Sequence, residues 1–404
     1  MSNKRYSYII LILGILATIS PFSIDMYLPG FPAIATDLGT TIEKVQLSLT
    51  SYLIGISVGQ LIYGPLLDRF GRRNPLIGGL IIFVLASIGC AFTHSVESLI
   101  LMRFLQALGG CVGLVASQAL VSDIFPAGKR AEVFSTLTLV IAVSPMIAPT
   151  LGGYVTVSMG WHWLFIILAL LVSLVIAAIY FFLPNGKLAD PSVSLQPKQV
   201  LKGYATVIKQ PQFLVYTLAG GLATAAPFAY IAGSSDVFMN QYGLNEEQYG
   251  WVFTLLASAM IGATQLNRFI LRRFTSQQII RTTLYVQGTI GVFLVIGVWA
   301  HWFNLYGLIG TMFLFLMGQG LTGPNTAALA LAPFKKHTGS ASALLGSWRM
   351  GAGGFISASV SMLHNQTALP MVGLMALCSL GGLAILMAGN HSLQSNHTVS
   401  SMNI

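Results

Sequence analysis

Apolar stretches of membrane-spanning length, separated by short polar intervals, occupy almost the whole of the 404-residue chain. A helix needs about 20 such residues to cross a bilayer. Twelve stretches qualify, near 6–28, 45–66, 75–93, 98–121, 133–156, 162–183, 213–236, 248–268, 279–299, 303–327, 338–362 and 368–388. The alternating segments of about ten residues that build a membrane β-barrel are not found. The pattern predicts an all-α membrane protein with twelve transmembrane helices. The longest polar interval, Pro184 to Gln212, has four Lys, four Pro and little helical periodicity. It predicts a six-helix bundle over 1–183, a linker over 184–212, a second six-helix bundle over 213–390 and a tail over 391–404.

Composition agrees. The chain is 55% hydrophobic and 8% charged, with a mean hydropathy of +0.76, whereas soluble domains carry about a quarter charged residues. The net charge of +9 would suit a nucleic-acid partner if the basic residues were clustered on soluble surface. They are not. With the N-terminus in the cytoplasm, every Lys and Arg except Lys44, Arg103 and Arg349 falls in an inner segment: Lys4 and Arg5; Arg69, Arg72 and Arg73; Lys129 and Arg130; Lys187, Lys198, Lys202 and Lys209; Arg268, Arg272, Arg273 and Arg281; Lys335 and Lys336. This is the positive-inside distribution. It places both termini in the cytoplasm and removes the need for a nucleic-acid partner. Asp37, Glu43, Glu97, Glu246 and Glu247 fall in outer loops, and Trp161, Trp163, Trp251, Trp299 and Trp302 at outer helix ends, as an interfacial aromatic belt requires. Cys90, Cys111 and Cys378 lie within spans without metal-ligand spacing, and no HExxH occurs, so no metal or cofactor is expected. The first stretch is too long for a secretory h-region and is expected to remain as the first helix.

Three charges lie well inside apolar stretches: Asp25 in SPFSIDMYLPGFP, Arg103 in LILMRFLQALGG and Arg349 in LLGSWRMGAGG. Such charges mark a substrate or proton path, because an unpaired charge at membrane depth is costly. Arg103 lies ~7 Å below the outer end of its helix, at a depth shared with Asp25. The two are expected to couple, directly or through Gln106 and water, or else to form a static ion pair. Burial favours the neutral form of a carboxyl group and a neighbouring guanidinium the ionised form, a balance suited to loading and releasing a proton. Arg349 lies ~16 Å along its span, beside Trp348. It either presents a hydrogen-bond fork to a ligand or satisfies carbonyls and polar groups such as Asn325 in its own half. Tyr52, Gln106 and Tyr230 are further candidates for a pocket lining. Asp236, in the polar run Gly233 to Asp236, is expected to be interfacial.

The segment GPLLDRFGRRNPL, Gly64 to Leu76, sets glycines among charges at fixed spacing. Gly64 is expected to permit close helix approach and Gly71 a tight turn. Asp68 suits a helix N-terminus such as that expected at Gly339 and Ser340, while Arg69, Arg72 and Arg73 suit carboxylates and lipid headgroups. Asp123 is a candidate partner for Arg72. The segment closely resembles motif A of the major facilitator superfamily, whose two six-helix halves rock about a central site. The resemblance implies a cytoplasmic gate latch; the basic residues alone would also serve as a topology signal. Arg103 matches the arginine of that family's motif B. The run Ser144 to Gly153, with Pro145, Pro149, Gly152 and Gly153, resembles its antiporter motif C, with Ser144 and Ala148 where glycine is usual.

Together with PFSIDMYLPGFP (21–32) and HTGSASALLGSWRMGAG (337–353), these motifs resemble the Bcr/CflA family of bacterial drug:proton antiporters. The resemblance implies a monomeric, inner-membrane exporter of small amphipathic antibiotics of phenicol, bicyclomycin or sulfonamide type, working by alternating access. In it Asp25 and Arg103 couple the proton, and Asp25, Tyr52, Arg103, Gln106, Tyr230, Trp348 and Arg349 line the drug site. Proton-linked uptake of a metabolite such as a nucleoside is the alternative. An intramembrane enzyme is not expected, since Asp25 has no evident acid partner and no nucleophile or metal motif occurs. No P-loop is present, so energy must come from an ion or substrate gradient.

Overall fold

In hydrocarbon each backbone N–H and C=O must be bonded within its own segment, and the apolar stretches accordingly fold as helices. A computed structural model describes the chain except residues 1, 2, 185, 187, 192–194, 335–337, 403 and 404, and it excludes the side chains of 3–7, 127, 128, 131, 132, 134, 135, 138, 139, 142, 197, 338 and 390–402. Lys187, Lys335 and Lys336 therefore lie outside the described residues, as do the side chains of Lys4 and Arg5. Among the described residues there is no strand. The helices are α1 (Asn3–Asp25), α2 (Phe31–Asp37), α3 (Ile42–Phe70), α4 (Arg73–Ala91), α5 (Val96–Ile124), α6 (Ala127–Met159), α7 (His162–Phe182), α8 (Pro197–Ile208), α9 (Pro211–Ala223), α10 (Ala226–Ser235), α11 (Glu246–Ile270), α12 (Ser276–Trp299), α13 (Leu305–Leu331), α14 (Thr338–Met362) and α15 (Leu369–Met402).

Nine of the described helical segments are long and apolar enough to cross a membrane, and α6, α11 and α14 fall at the remaining three expected spans. Two spans are interrupted. In the first, α1 ends at Asp25 and a 3₁₀ turn over Leu28–Gly30 leads into α2; Pro29 has no N–H with which to continue the helix. In the seventh, α9 stops before Thr224 and Ala225, and α10 runs into a π-turn over Asp236–Gln241.

The chain divides into two compact units, 1–200 with 238–254, and 201–237 with 255–404. In the first, α5 packs against α1, α3 and α4, and α6 against α1. Small residues allow these approaches: a Cβ at Gly55 would sit 2.7 Å from the Phe104 carbonyl oxygen. In the second, α9 packs on α13, α14 and α15, and α10 on α14 and α15.

Three expectations are corrected. The linker contains a helix, α8, because Val200, Tyr204 and Val207 recur at helical spacing. The last two are buried, Val207 within the apolar cluster around Phe213 and Tyr216. Trp161 is no belt residue: it is 3% exposed, while Trp163, Trp251, Trp299 and Trp302 are exposed. Gly64 makes no close approach, since a Cβ there would meet no atom within 4 Å.

Candidate functional site

The interruption after Asp25 organises the first unit's site. Met26 N–H donates to the Phe22 carbonyl at 3.0 Å, but Tyr27 N–H turns to Ile24 at 3.3 Å. The Ser23 carbonyl thereby loses its i+4 donor. Arg103 on α5 takes its place: Nη2 donates to the Ser23 carbonyl at 3.3 Å, and Nη1 to Ser23 Oγ at 2.9 Å and Gln106 Oε1 at 2.6 Å. A guanidinium at a helix C-terminus also opposes the negative end of the helix dipole. The chain of bonds continues from Gln106 Nε2 to Ser87 Oγ at 2.7 Å, and from Ser87 Oγ to the Phe83 carbonyl at 2.7 Å.

Arg103 is 0% exposed and, among the described residues, has no carboxylate partner. Its carbon Cζ lies 4.1 Å from the ring centre of Tyr52, 4.5 Å from Tyr27 and 5.7 Å from Phe165. Three aromatic faces and three acceptors thus hold the charge where an acid was expected. Tyr27 is fixed in turn by a 2.8 Å hydrogen bond between its hydroxyl and Ser48 Oγ. The expected direct pairing of Asp25 with Arg103 is corrected accordingly. Gln106 joins Arg103 to Ser87, and among the described residues the Asp25 side chain, 5% exposed, makes no hydrogen bond or ion pair. Tyr52 and Gln106 are fully buried around the guanidinium. Ser23, which sequence reasoning passed over, is the residue that ties Arg103 to the turn bearing Asp25. Its position two residues before the carboxylate and six before Pro29 was the available signal.

α6 reaches the same turn. Pro145 and Pro149 sit within one continuous helix, and a Cβ at Gly152 would collide with the Met26 carbonyl. Still within the first unit, a Cβ at Gly153 would lie 2.8 Å from the Glu246 carbonyl oxygen, and Thr254 Oγ1 donates to the Met146 carbonyl at 2.6 Å. The small residues of this run therefore seat α6 against the residue following Asp25 and against the first turns of α11.

A second cluster lies at the end of α3. Gly71 has φ 78°, a conformation costly for any residue with a Cβ, and the turn it makes brings Arg72 between two acids. Arg72 Nε donates to Asp123 Oδ2 at 2.8 Å, and Nη1 to Asp68 Oδ1 at 2.7 Å. Burial alone would lower the Arg72 pKa; the two carboxylates outweigh it and hold it above its ordinary value. Arg73 Nη2 donates to the Tyr180 carbonyl at 2.7 Å with its guanidinium over that ring, and Arg69 is half-buried. The segment after α7 covers the cluster: Gly186, at φ 66°, packs against Leu120, Arg72 and Asp123, and Asp190 N–H donates to the Asp68 carbonyl at 3.3 Å.

In the second unit Arg349 Nη2 donates to the Gly323 carbonyl at 2.8 Å and to Thr326 Oγ1 at 3.0 Å, bracing α14 to α13. Asn325 pairs with Asn267 at 2.8 Å and leaves Arg349 alone. Trp348 is 41% exposed, and its indole lies so close to Gly221 that a Cβ there would collide with it. Tyr230 is buried on α10. The break in the seventh span is capped as the first is, by a side chain from its own unit: Gln319 Nε2 donates to the Ala223 carbonyl at 2.9 Å. Asp236 is buried, at 7% exposure, with its Oδ2 3.7 Å from His364 Nδ1. Among the described residues no group of three or more His, Cys, Asp or Glu could hold a metal ion.

Residues 13–358 match the sequence model of the Major Facilitator Superfamily. The chain is 31% identical to a bicyclomycin resistance protein homologue of Haemophilus influenzae, over 94% of this chain and 95% of that one. It is 30% identical to a chloramphenicol resistance protein of Pseudomonas aeruginosa, over 92% and 90% of the two. Its fold is similar to the crystal structure of a bacterial homologue of the human lysosomal transporter Spinster, with a TM-score of 0.70, 14% identity and 96% of each chain covered.

Proposed function

Because the chain belongs to the Major Facilitator Superfamily, a family of multi-pass membrane transporters, we propose that it exports small amphipathic antibiotics in exchange for protons. The names of its relatives support this reading, since they are bicyclomycin and chloramphenicol resistance proteins. The drug class is accordingly phenicol or bicyclomycin type. The protein sits in the bacterial inner membrane with both termini in the cytoplasm, as the basic loops require, and works as a monomer. The basic cluster around Arg72 closes the cytoplasmic side, and Arg69 and Arg73 meet lipid headgroups.

One observation carries the proton assignment: the Asp25 carboxyl is buried at the interruption of the first span and, among the described residues, unpartnered. A carboxyl without fixed partners gains or loses its proton to water without breaking a hydrogen bond or ion pair to the protein. Arg103 acts as a positioning residue, holding the last turn of α1 through Ser23. Protonation of Asp25 from outside and its release inside would bias the two access states in opposite directions, because each state differs in its affinity for the proton.

The test is transport in proteoliposomes with a labelled phenicol. Wild-type protein accumulates the drug against its gradient when a pH difference is imposed, in the direction opposite to proton flow. Asp25→Asn retains drug exchange at equal pH and loses accumulation. Full proton-driven accumulation by Asp25→Asn would remove Asp25 as the carrier, and accumulation in the direction of proton flow would favour uptake over export.

A further inference from the structure

The second unit also contains a buried acid, and it faces a histidine. Asp236 opens the π-turn that ends the seventh span, next to Ser234 and Ser235, both fully buried. His364 lies in the short loop joining α14 to α15. The two side chains are 10% and 18% exposed and stand 3.7 Å apart, Oδ2 to Nδ1. Isolated π-turns within helices are often functional, since the extra residue re-aims a side chain at a cost in regular bonding. Here the turn begins at the acid itself.

We propose that Asp236 and His364 form a second proton-binding site, one that opens to the outer face. The outer placement rests on the orientation given above; the site itself does not. Histidine is the side chain whose charge changes near neutral pH. A hydronium ion in the outer water gives up its proton: one of its O–H bonds breaks to leave water, and an N–H bond forms on the imidazole. The imidazolium so made is matched by the Asp236 carboxylate. Because Asp236 sits on the seventh span and His364 on the loop after α14, the bound proton ties these two elements together.

α10, which leads into Asp236, packs on α14 and α15, which flank the loop bearing His364, and the other titratable side chains of these helices, among the described residues, are Tyr230, Arg349 and Cys378. Arg349 lies near the middle of α14, and Cys378 lies nine residues into α15. Tyr242 follows the π-turn in sequence. The first unit has a pair in the same topological place, Asp37 after its interrupted span and His162 at the start of α7, also at 3.7 Å. That pair is 52% and 42% exposed, so water and salt screen it and little is expected of it. Trp161, whose Nε1 donates to Asp37 Oδ2 at 3.2 Å, holds that acid in place. Glu43 and Lys44 stand in the first turn of α3, which packs on α2, and Tyr154 lies near the outer end of α6.

The test needs no drug and so fails separately from the export reading. Hydrogen–deuterium exchange is followed on the ligand-free full chain in nanodiscs of phosphatidylethanolamine and phosphatidylglycerol. After correction for intrinsic rates, protection of peptides covering 228–237 and 363–368 should rise about fivefold as the pH falls from about 7.5 to about 5.5. His364→Gln and Asp236→Asn should each abolish the rise. His364→Lys, with a fixed charge, should be protected at both pH values, which a merely structural role would not produce; His162→Gln should respond as wild type. An absent response in wild type, a retained response in His364→Gln, or a lost response in His162→Gln would each overturn the proposal. If Asp236→Asn fails to fold, the His364 variants decide the matter alone.

Discussion

If Asp25 and Arg103 formed an ion pair, each should depend on the other for its contribution to stability, and the geometry predicts that they do not. Arg103 makes three hydrogen bonds to buried acceptors, with Ser23 Oγ, the Ser23 carbonyl and Gln106 Oε1. A bond from a charged donor contributes roughly 1.5–3 kcal/mol. Arg103→Met keeps much of the volume against Tyr27 and Tyr52 but leaves these acceptors without donors, for an expected loss of about 3–5 kcal/mol. Asp25→Asn removes no bond among the described residues and changes shape little, so it should fall within ~1 kcal/mol of wild type. The double variant should then be additive to within ~0.5 kcal/mol. The measurement is a double-mutant cycle of reversible unfolding in mixed detergent micelles, in sodium dodecyl sulfate at constant neutral pH. A coupling energy above ~1.5 kcal/mol, or equal losses in the two single variants, would refute the capping role and restore the ion pair.

The glycines of the segment after α3 should separate cleanly in the same unfolding assay. Gly71→Ala should cost about 1–2 kcal/mol because φ is 78°, while Gly64→Ala, whose Cβ meets nothing within 4 Å, should gain up to ~1 kcal/mol of helix propensity. The two acids on Arg72 should be unequal. Asp123, whose side chain is 18% exposed, should lose about 3 kcal/mol on conversion to Asn, and Asp68, at 47%, less than ~1 kcal/mol.

Much was legible in the order of residues. The spans could be read from apolar length, and the tight turn at Gly71 followed from glycine amid charges. α8 was hidden because four prolines and four lysines masked a three-residue apolar face, whose burial depends on residues well along the chain such as Phe213. Gly64 misled because a small residue in a helix marks close packing only when a neighbour arrives, and none does.

What the sequence determined by itself was the solvent in which the chain folds and where its spans lie. Both depend on summed transfer energies of consecutive residues, a local quantity. Where Arg103 would find its acceptors was decided only by tertiary structure. Asp25 and Arg103 share a depth, and opposite charges at one depth read as a pair. The break before Pro29 instead freed the Ser23 carbonyl, α5 packed so that the guanidinium met it, and aromatic faces closed around the remainder. Hydrogen bonding is directional and short in range, so an angle of the backbone two residues away outweighed a favourable charge that sequence alone could count but not aim.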